Sequence, residues 1–150
     1  MIAVTVQQMV FEADELLKKM ASANQRILSR FGAFVRQRGK TSIRPRKAPS
    51  QPGAPPSSHV GLLRDYIVFQ VEPGNVIIGP MQLNAKVSAT SLRALEHGGQ
   101  SLILRYAWQN GRRVVKDKRV ITVQARPSMQ PAFEAELQKV PKLWENALAA

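Results

Sequence analysis

Residues 102–123 read LILRYAWQNGRRVVKDKRVITV, two runs rich in strand-forming residues on either side of an Asn-Gly pair. Asn110 and Gly111 both tolerate the positive φ angles of a type I′ turn, whose twist matches that of a two-stranded hairpin. The sequence therefore predicts strands at residues 102–108 and 113–123 with a tight turn between them.

A second pair of strands is predicted before this hairpin. Residues 62–71 include Tyr66, Ile67, Val68 and Phe69, which all favour strands. The next four residues, EPGN, are typical of a turn, and residues 76–78 return as a strand. Together with the hairpin, these runs predict a mainly antiparallel sheet of about four strands.

Helical periodicity marks both ends of the chain. Residues 6–38 predict one long amphipathic helix, closed by Gly39, and such a helix can outreach a small sheet and pack its free end on a neighbouring subunit. Residues 129–148 predict a final helix with Ser128 as N-cap and, because of Pro141, a kink or break near residues 137–140. The fold class is thus α+β, in a single domain spanning residues 1–150. The apolar stripe of the first helix consists of Met9, Ala13, Leu16, Met20, Ile27, Phe31 and Phe34, flanked by Leu17, Leu28 and Val35.

The composition argues against an enzyme. The 150 residues include no cysteine and two histidines, and neither His59 nor His97 has a second ligand at metal-binding spacing. No carboxylate pair, nucleophile elbow or phosphate-binding glycine loop is present. We therefore expect no catalytic residues, metal or cofactor. The absence of a signal segment or a long apolar run predicts a soluble protein made in the cytoplasm, with no membrane contact.

Positive charge is the strongest compositional signal. The net charge of +12 predicts a polyanionic neighbour, either nucleic acid or an acidic protein. Residues 39–58 form a long loop rich in Pro, Ser and Gly without a carboxylate, and a second basic group follows the Asn-Gly turn. Aromatic residues are not interleaved among these cations along the chain. The candidate contacts with DNA in a channel or with an acidic partner are Arg36, Arg38, Lys40, Arg44, Arg46, Lys47, Arg112, Arg113 and Lys116.

Five short motifs occur in a characteristic order. They are PGAPP at 52–56, SHVGLLRDYI at 58–67, VIIGP at 76–80, ALEHGG at 94–99 and RPSMQPAFE at 126–134. Together they resemble the tail-completion proteins (minor tail or neck proteins) of long-tailed bacteriophages and prophages. The likeness covers most of the chain from residue 52 onward.

This resemblance implies a structural role in the virion. Members of the family are ring subunits, expected to be six-fold, which join the head connector to the finished tail. The implied partners are further copies of the chain, the connector or stopper protein, the tail terminator, and the tape-measure protein or genomic DNA in the channel. The implied location is the neck of the virion, assembled in the host cytoplasm.

Within this resemblance, Glu96 and Arg126 are candidate subunit contacts. We hypothesise that Glu96 pairs with Arg126 or with a basic residue of a neighbouring subunit, which would fix the ring contact. Two other functions stay open from the sequence: a tail terminator or other minor tail protein, and a small basic nucleic-acid-binding protein.

Overall fold

A computed structural model of the chain describes residues 13–59, 61–81 and 89–148. Residues 6–12 of the predicted first helix, including Met9, lie outside this range. In chain order the elements are α1 (Ala13–Ser42), β1 (Arg44–Pro45), β2 (Ser57–Ser58), α2 (Leu62–Asp65), β3 (Ile67–Glu72), β4 (Asn75–Pro80), α3 (Ala89–His97), β5 (Gly99–Gln109), β6 (Arg112–Val123), α4 (Met129–Leu137) and α5 (Val140–Leu148). The chain is therefore a mixed α+β protein with a long first helix, as predicted.

The long helix α1 is the support on which the core is built. It packs against β3, β4, α4 and α5. Phe31 and Val35 are buried together with Ala132 of α4, and the rings of Phe31 and Phe133 meet edge to face with their centroids 5.4 Å apart. Val76, Ile78, Met129, Val140 and Leu143 pack around this cluster.

Two glycines allow the chain to approach α1 closely. A Cβ atom placed on Gly32 would lie 2.6 Å from Cδ2 of Phe69, and one on Gly39 would lie 2.9 Å from the sulfur of Met129. Gly39 is buried inside the helix, so its predicted role as the closing residue is wrong. The helix continues to Ser42, whose hydroxyl donates to the Gly39 carbonyl at 2.8 Å.

The strands form separate hairpins rather than one four-stranded sheet. β3 pairs with β4 and β5 pairs with β6, both antiparallel, while β1 and β2 form a two-residue parallel bridge. The prediction of a single sheet was wrong because the two hairpins rest on different helices: β3 and β4 lie against α1, and β5 lies against α3. The Asn-Gly turn is confirmed, with φ angles of 49° at Asn110 and 72° at Gly111.

The C-terminal helix is divided into two helices, with a break where a kink or break was predicted. α4 ends at Leu137, a turn covers residues 138–139, and α5 starts at Val140. Pro141 is the second residue of α5. A backbone N–H at this position would have no acceptor within the helix, so proline costs no helical hydrogen bond here. α4 and α5 both pack on α1, so the turn folds the end of the chain back onto the long helix.

Candidate functional site

The N-terminus of α4 is capped by a carboxylate from α3. Glu96 Oε1 accepts hydrogen bonds from the backbone N–H groups of Met129 and Gln130, at 2.9 and 2.8 Å. Glu96 Oε2 accepts from both the backbone N–H and the hydroxyl of Ser128, at 3.0 and 3.2 Å. Ser128 occupies the predicted N-cap position, but the capping acceptor is Glu96 rather than its own hydroxyl. The negative charge also meets the positive end of the helix dipole.

Arg126 binds carbonyl groups rather than Glu96. Its Nε donates to the Ser50 carbonyl at 3.1 Å and its Nη1 to the Gln124 carbonyl at 3.5 Å, while its backbone N–H donates to the Leu95 carbonyl at 2.7 Å. The hypothesised Glu96–Arg126 pair within one chain is thus wrong, because the start of α4 engages both carboxylate oxygens. A contact of either residue with a neighbouring subunit stays a prediction.

The basic loop is fastened to the irregular segment that follows β6. The Ser50 carbonyl of the loop accepts from Arg126, and the Gly53 N–H donates to the Ala125 carbonyl at 2.9 Å. The β1–β2 bridge joins the two ends of the loop. Since α1 continues to Ser42, the loop begins after that residue rather than at residue 39.

The first group of predicted contact cations divides into two sets. Three of them donate within the chain: Arg36 Nε to the Ile67 carbonyl at 3.0 Å, Arg38 Nε to the Glu136 carboxylate, and Lys40 Nζ to the Asp65 carbonyl at 3.2 Å. The other three, Arg44, Arg46 and Lys47, are exposed. Arg44 and Arg46 line an open cleft of about 610 Å³ beside the loop. The three loop cations are therefore exposed to solvent, whereas the three cations of α1 hydrogen-bond within the fold.

A buried carboxylate in α4 is the acceptor for two cations. Glu136 is only 5% exposed, and its oxygens bind Arg38 and Lys139, with Lys139 Nζ at 3.0 and 2.9 Å. Burial raises the pKa of Glu136, but the hydrogen bonds and positive charges of Lys139 and Arg38 outweigh burial, so the pKa lies below its ordinary value of 4.5. This network was not predicted, since Arg38 and Glu136 are far apart in sequence.

We expect the Glu136 network to make the protein less stable in acid. A carboxyl group with a lowered pKa in the folded state stabilises the fold above its unfolded pKa, and this contribution is lost as pH falls below 4.5 through the folded value. Chemical unfolding of the wild type and of Glu136→Gln should therefore show a stability difference at pH 7 that shrinks toward pH 3. A difference that is the same at both pH values would contradict this account.

The β5–β6 hairpin is exposed around its turn. Every residue from 108 to 120 is exposed, including the predicted contact residues Arg112, Arg113 and Lys116. The guanidinium of Arg113 lies 4.1 Å from the centre of the Tyr106 ring, at cation–π distance. At the base, the hydroxyl groups of Ser91 and Ser101 share a hydrogen bond of 2.8 Å, which fixes the hairpin to α3.

One side of the hairpin is an exposed apolar row, which we call the ribbon face. Cross-strand neighbours share a side of a β-ribbon, so the register places Leu102 beside Val120 and Tyr106 beside Val115. Trp108, 77% exposed, lies beside Arg113 near the tip. The ribbon face consists of Leu102, Leu104, Tyr106, Trp108, Val115 and Val120, all of them exposed large hydrophobic residues.

The first turns of α1 carry a second exposed apolar surface, which we call the helix face. It consists of Leu16, Leu17 and Met20, which continue the helix stripe beyond its buried part at Ala23 and Ile27. Leu17 is 62% and Phe34 48% exposed, so the apolar stripe predicted from the sequence is covered only in part, around Ala23, Ile27 and Phe31. Both apolar faces are larger than the isolated surface residues common in soluble monomers, and contiguous exposed patches mark interaction sites.

The described part of the chain contains no cluster of three or more His, Cys, Asp or Glu side chains placed to hold a metal ion. Among its helices, none combines the length and apolar character that crossing a bilayer demands. Searches against protein-family models, curated proteins and solved structures each found no match to this chain.

Proposed function

We propose that this chain is a structural subunit of the neck of a long-tailed bacteriophage or prophage, a ring component that joins the head connector to the completed tail. The proposal rests on the ordered motifs and on one observation: the chain leaves two apolar faces uncovered, one on the first turns of α1 and one on the β5–β6 hairpin. A subunit of a closed ring uses two different surfaces for one repeated contact.

The ring is proposed to be hexameric, between the connector or stopper on one side and the tail terminator on the other, in a virion assembled in the host cytoplasm. The exposed cations Arg44, Arg46 and Lys47 of the loop, and Arg112 and Lys116 of the hairpin, suit contact with acidic neck proteins or with DNA or tape-measure protein in the channel. Exposed cations contact phosphates without reading the base sequence, which fits a channel through which any sequence passes.

Immunogold electron microscopy tests the proposed location. Antibodies against the purified chain should label virions of the source phage at the head–tail junction. Label along the tail or at its far tip would favour another minor tail protein instead, and virions without any label would contradict a virion component. Antibody that has been preabsorbed with excess purified chain is the control and should give no label.

Nucleic-acid binding is the second candidate function, favoured by the exposed cations of the loop and hairpin. Each neutralised phosphate contributes a slope of about −0.9 to the dependence of log K on log salt concentration. If loop and hairpin both grip duplex DNA, we expect a slope of about −4 or steeper, made shallower by about 2 in the double variant Arg46→Gln and Lys47→Gln. Fluorescence anisotropy with a labelled duplex measures both slopes. A wild-type slope near zero would contradict this function, and Lys139→Gln, a cation that binds Glu136, is the matched control.

A further inference from the structure

The two sides of the β5–β6 hairpin have different surroundings. Ser101 is buried and its cross-strand partner Ile121 is half-buried, whereas Leu102 next to Ser101 is exposed. The hydroxyl of Ser101 is hydrogen-bonded to that of Ser91, so the less exposed side of the hairpin is the side that lies against α3. Successive side chains of a strand point to opposite sides, and the ribbon face is therefore the side that α3 leaves uncovered.

A β-bulge decides which charges share the ribbon face. The register shifts between Arg105 and Tyr106, so Lys116 is an extra residue of β6 without a cross-strand partner. A shift of one residue moves the following side chains to the other side of a ribbon. As a result Lys118 lies on the ribbon face, while Asp117, the single acid of the hairpin, lies beside Arg105 on the opposite side.

The ribbon face is therefore positively charged as well as apolar. The hairpin sequence from residue 99 to 123 contains six basic residues and one acid. On the ribbon face, Arg113 and Lys118 meet no acid from either strand. This charge disfavours a second copy of a chain with a net charge of +12 and favours a polyanion.

The two aromatic rings of the ribbon face lie among these cations. The guanidinium of Arg113 is 4.1 Å from the centre of the Tyr106 ring. Trp108, the cross-strand neighbour of Arg113, is 77% exposed, so its indole ring is largely uncovered. Tyr106 and Trp108 are two residues apart, which separates their Cα atoms by about 6.8 Å along the strand. The ribbon face thus combines flat rings with positive charge.

A nucleotide matches this combination better than an acidic side chain does. The face of an aromatic ring carries partial negative charge, so the carboxylates of an acidic protein gain nothing by approaching Trp108. A nucleotide supplies an anionic phosphate for the cations and a flat base that stacks on an aromatic ring or on a guanidinium group. In a duplex the base faces are already stacked on one another, so an unpaired strand is the form that can offer them.

We infer that the ribbon face binds single-stranded nucleic acid. One base stacks on Trp108, the adjacent base stacks on the Arg113 guanidinium that covers Tyr106, and Lys118 neutralises a phosphate. The inference rests on the second candidate function, nucleic-acid binding, to which it adds the binding surface and the form of the nucleic acid. It applies to the isolated chain and does not depend on ring formation.

Tryptophan fluorescence tests the stacking on Trp108. The chain has one other tryptophan, so the variant Trp144→Phe provides a background in which the emission reports Trp108 alone. A short single-stranded oligothymidylate should quench this emission at low salt. The single strand should also bind about tenfold more tightly than a duplex of the same length, because stacking on the ring adds to the phosphate contacts.

Substitutions at Trp108 separate stacking from simple apolar contact. Fluorescence anisotropy with a labelled single strand should show binding weakened about tenfold in Trp108→Leu, which stays apolar but loses the aromatic ring. Trp108→Phe retains a ring and should bind nearly as tightly as the wild type. Val114→Ala is the matched control, because Val114 is exposed on the opposite side of the hairpin, and its affinity should equal that of the wild type.

The outcomes separate this inference from the function on which it rests. Equal affinity for single strand and duplex, with Trp108→Leu binding as tightly as the wild type, would overturn base stacking while nucleic-acid binding stands. No binding of either form at low salt would overturn both. Quenching of Trp108 by polyglutamate as strong as by the single strand would assign the ribbon face to an acidic protein and overturn the inference.

Discussion

Gly32→Val is expected to lower the free energy of unfolding by about 3 kcal/mol, at the upper end of the cost of overpacking a core. A Cβ on Gly32 would already lie 2.6 Å from Cδ2 and 3.1 Å from Cγ of Phe69, and 3.0 Å from the side chain of Val76. Contact with Cγ means that the ring cannot swing clear about its own axis, so β3 would have to move away from α1.

The neighbouring position supplies the control for this effect. Ala33 lies on the same helix turn and is exposed, so Ala33→Val carries only the lower helix propensity of valine, about 0.6 kcal/mol. Urea unfolding followed by circular dichroism measures both variants. Equal losses for Gly32→Val and Ala33→Val would show that the close approach of Phe69 to α1 does not stabilise the fold.

Glu96→Ala is expected to cost about 2–3 kcal/mol, because charged hydrogen bonds contribute more than neutral ones and the N–H groups they leave behind are partly buried. The carboxylate binds three successive backbone N–H groups at the start of α4 and the hydroxyl of Ser128. Glu96→Gln retains the size of the side chain but only one acceptor oxygen, so its cost should be intermediate.

Glu134→Ala is the matched control, since Glu134 is an exposed acid of α4 that binds only Gln130 among the described residues. Its expected cost is within about 0.5 kcal/mol, as for a surface pair along a helix. Thermal unfolding measures the order of stability of Glu96→Ala, Glu96→Gln and Glu134→Ala. If Glu96→Ala is as stable as Glu134→Ala, the cap does not hold α3 to α4. A fully stable Glu96→Ala that fails to assemble would assign Glu96 to a subunit contact instead.

Local patterns predicted several elements of this fold but missed α2, which occupies the start of the strand predicted at residues 62–71, and α3. The Asn-Gly turn, the long first helix and the short β3–β4 hairpin follow from turn chemistry and from the periodicity of apolar residues. The prediction that Gly39 ends the helix was wrong because a glycine near a helix end can also allow close packing. Here it lets Met129 approach the helix, which continues to Ser42.

Contacts between distant segments could not be read from the sequence. Glu96 caps a helix that starts 33 residues later, and Arg38 reaches Glu136 across the whole β region. Arg113 and Tyr106 lie on different strands of the hairpin and meet only when the strands pair. Their association is therefore not visible in the order of residues along the chain. Similarly, the number of hydrogen-bonded strands depends on which helix supports each hairpin, a tertiary property that strand propensity does not contain.

The most direct test of a neck component is electron microscopy of particles produced by the source phage after deletion of this chain. The account predicts DNA-filled heads and finished tails of normal length that remain separate, with joining restored when the chain is supplied from a plasmid. Intact, infectious virions in its absence would contradict a role in joining head to tail.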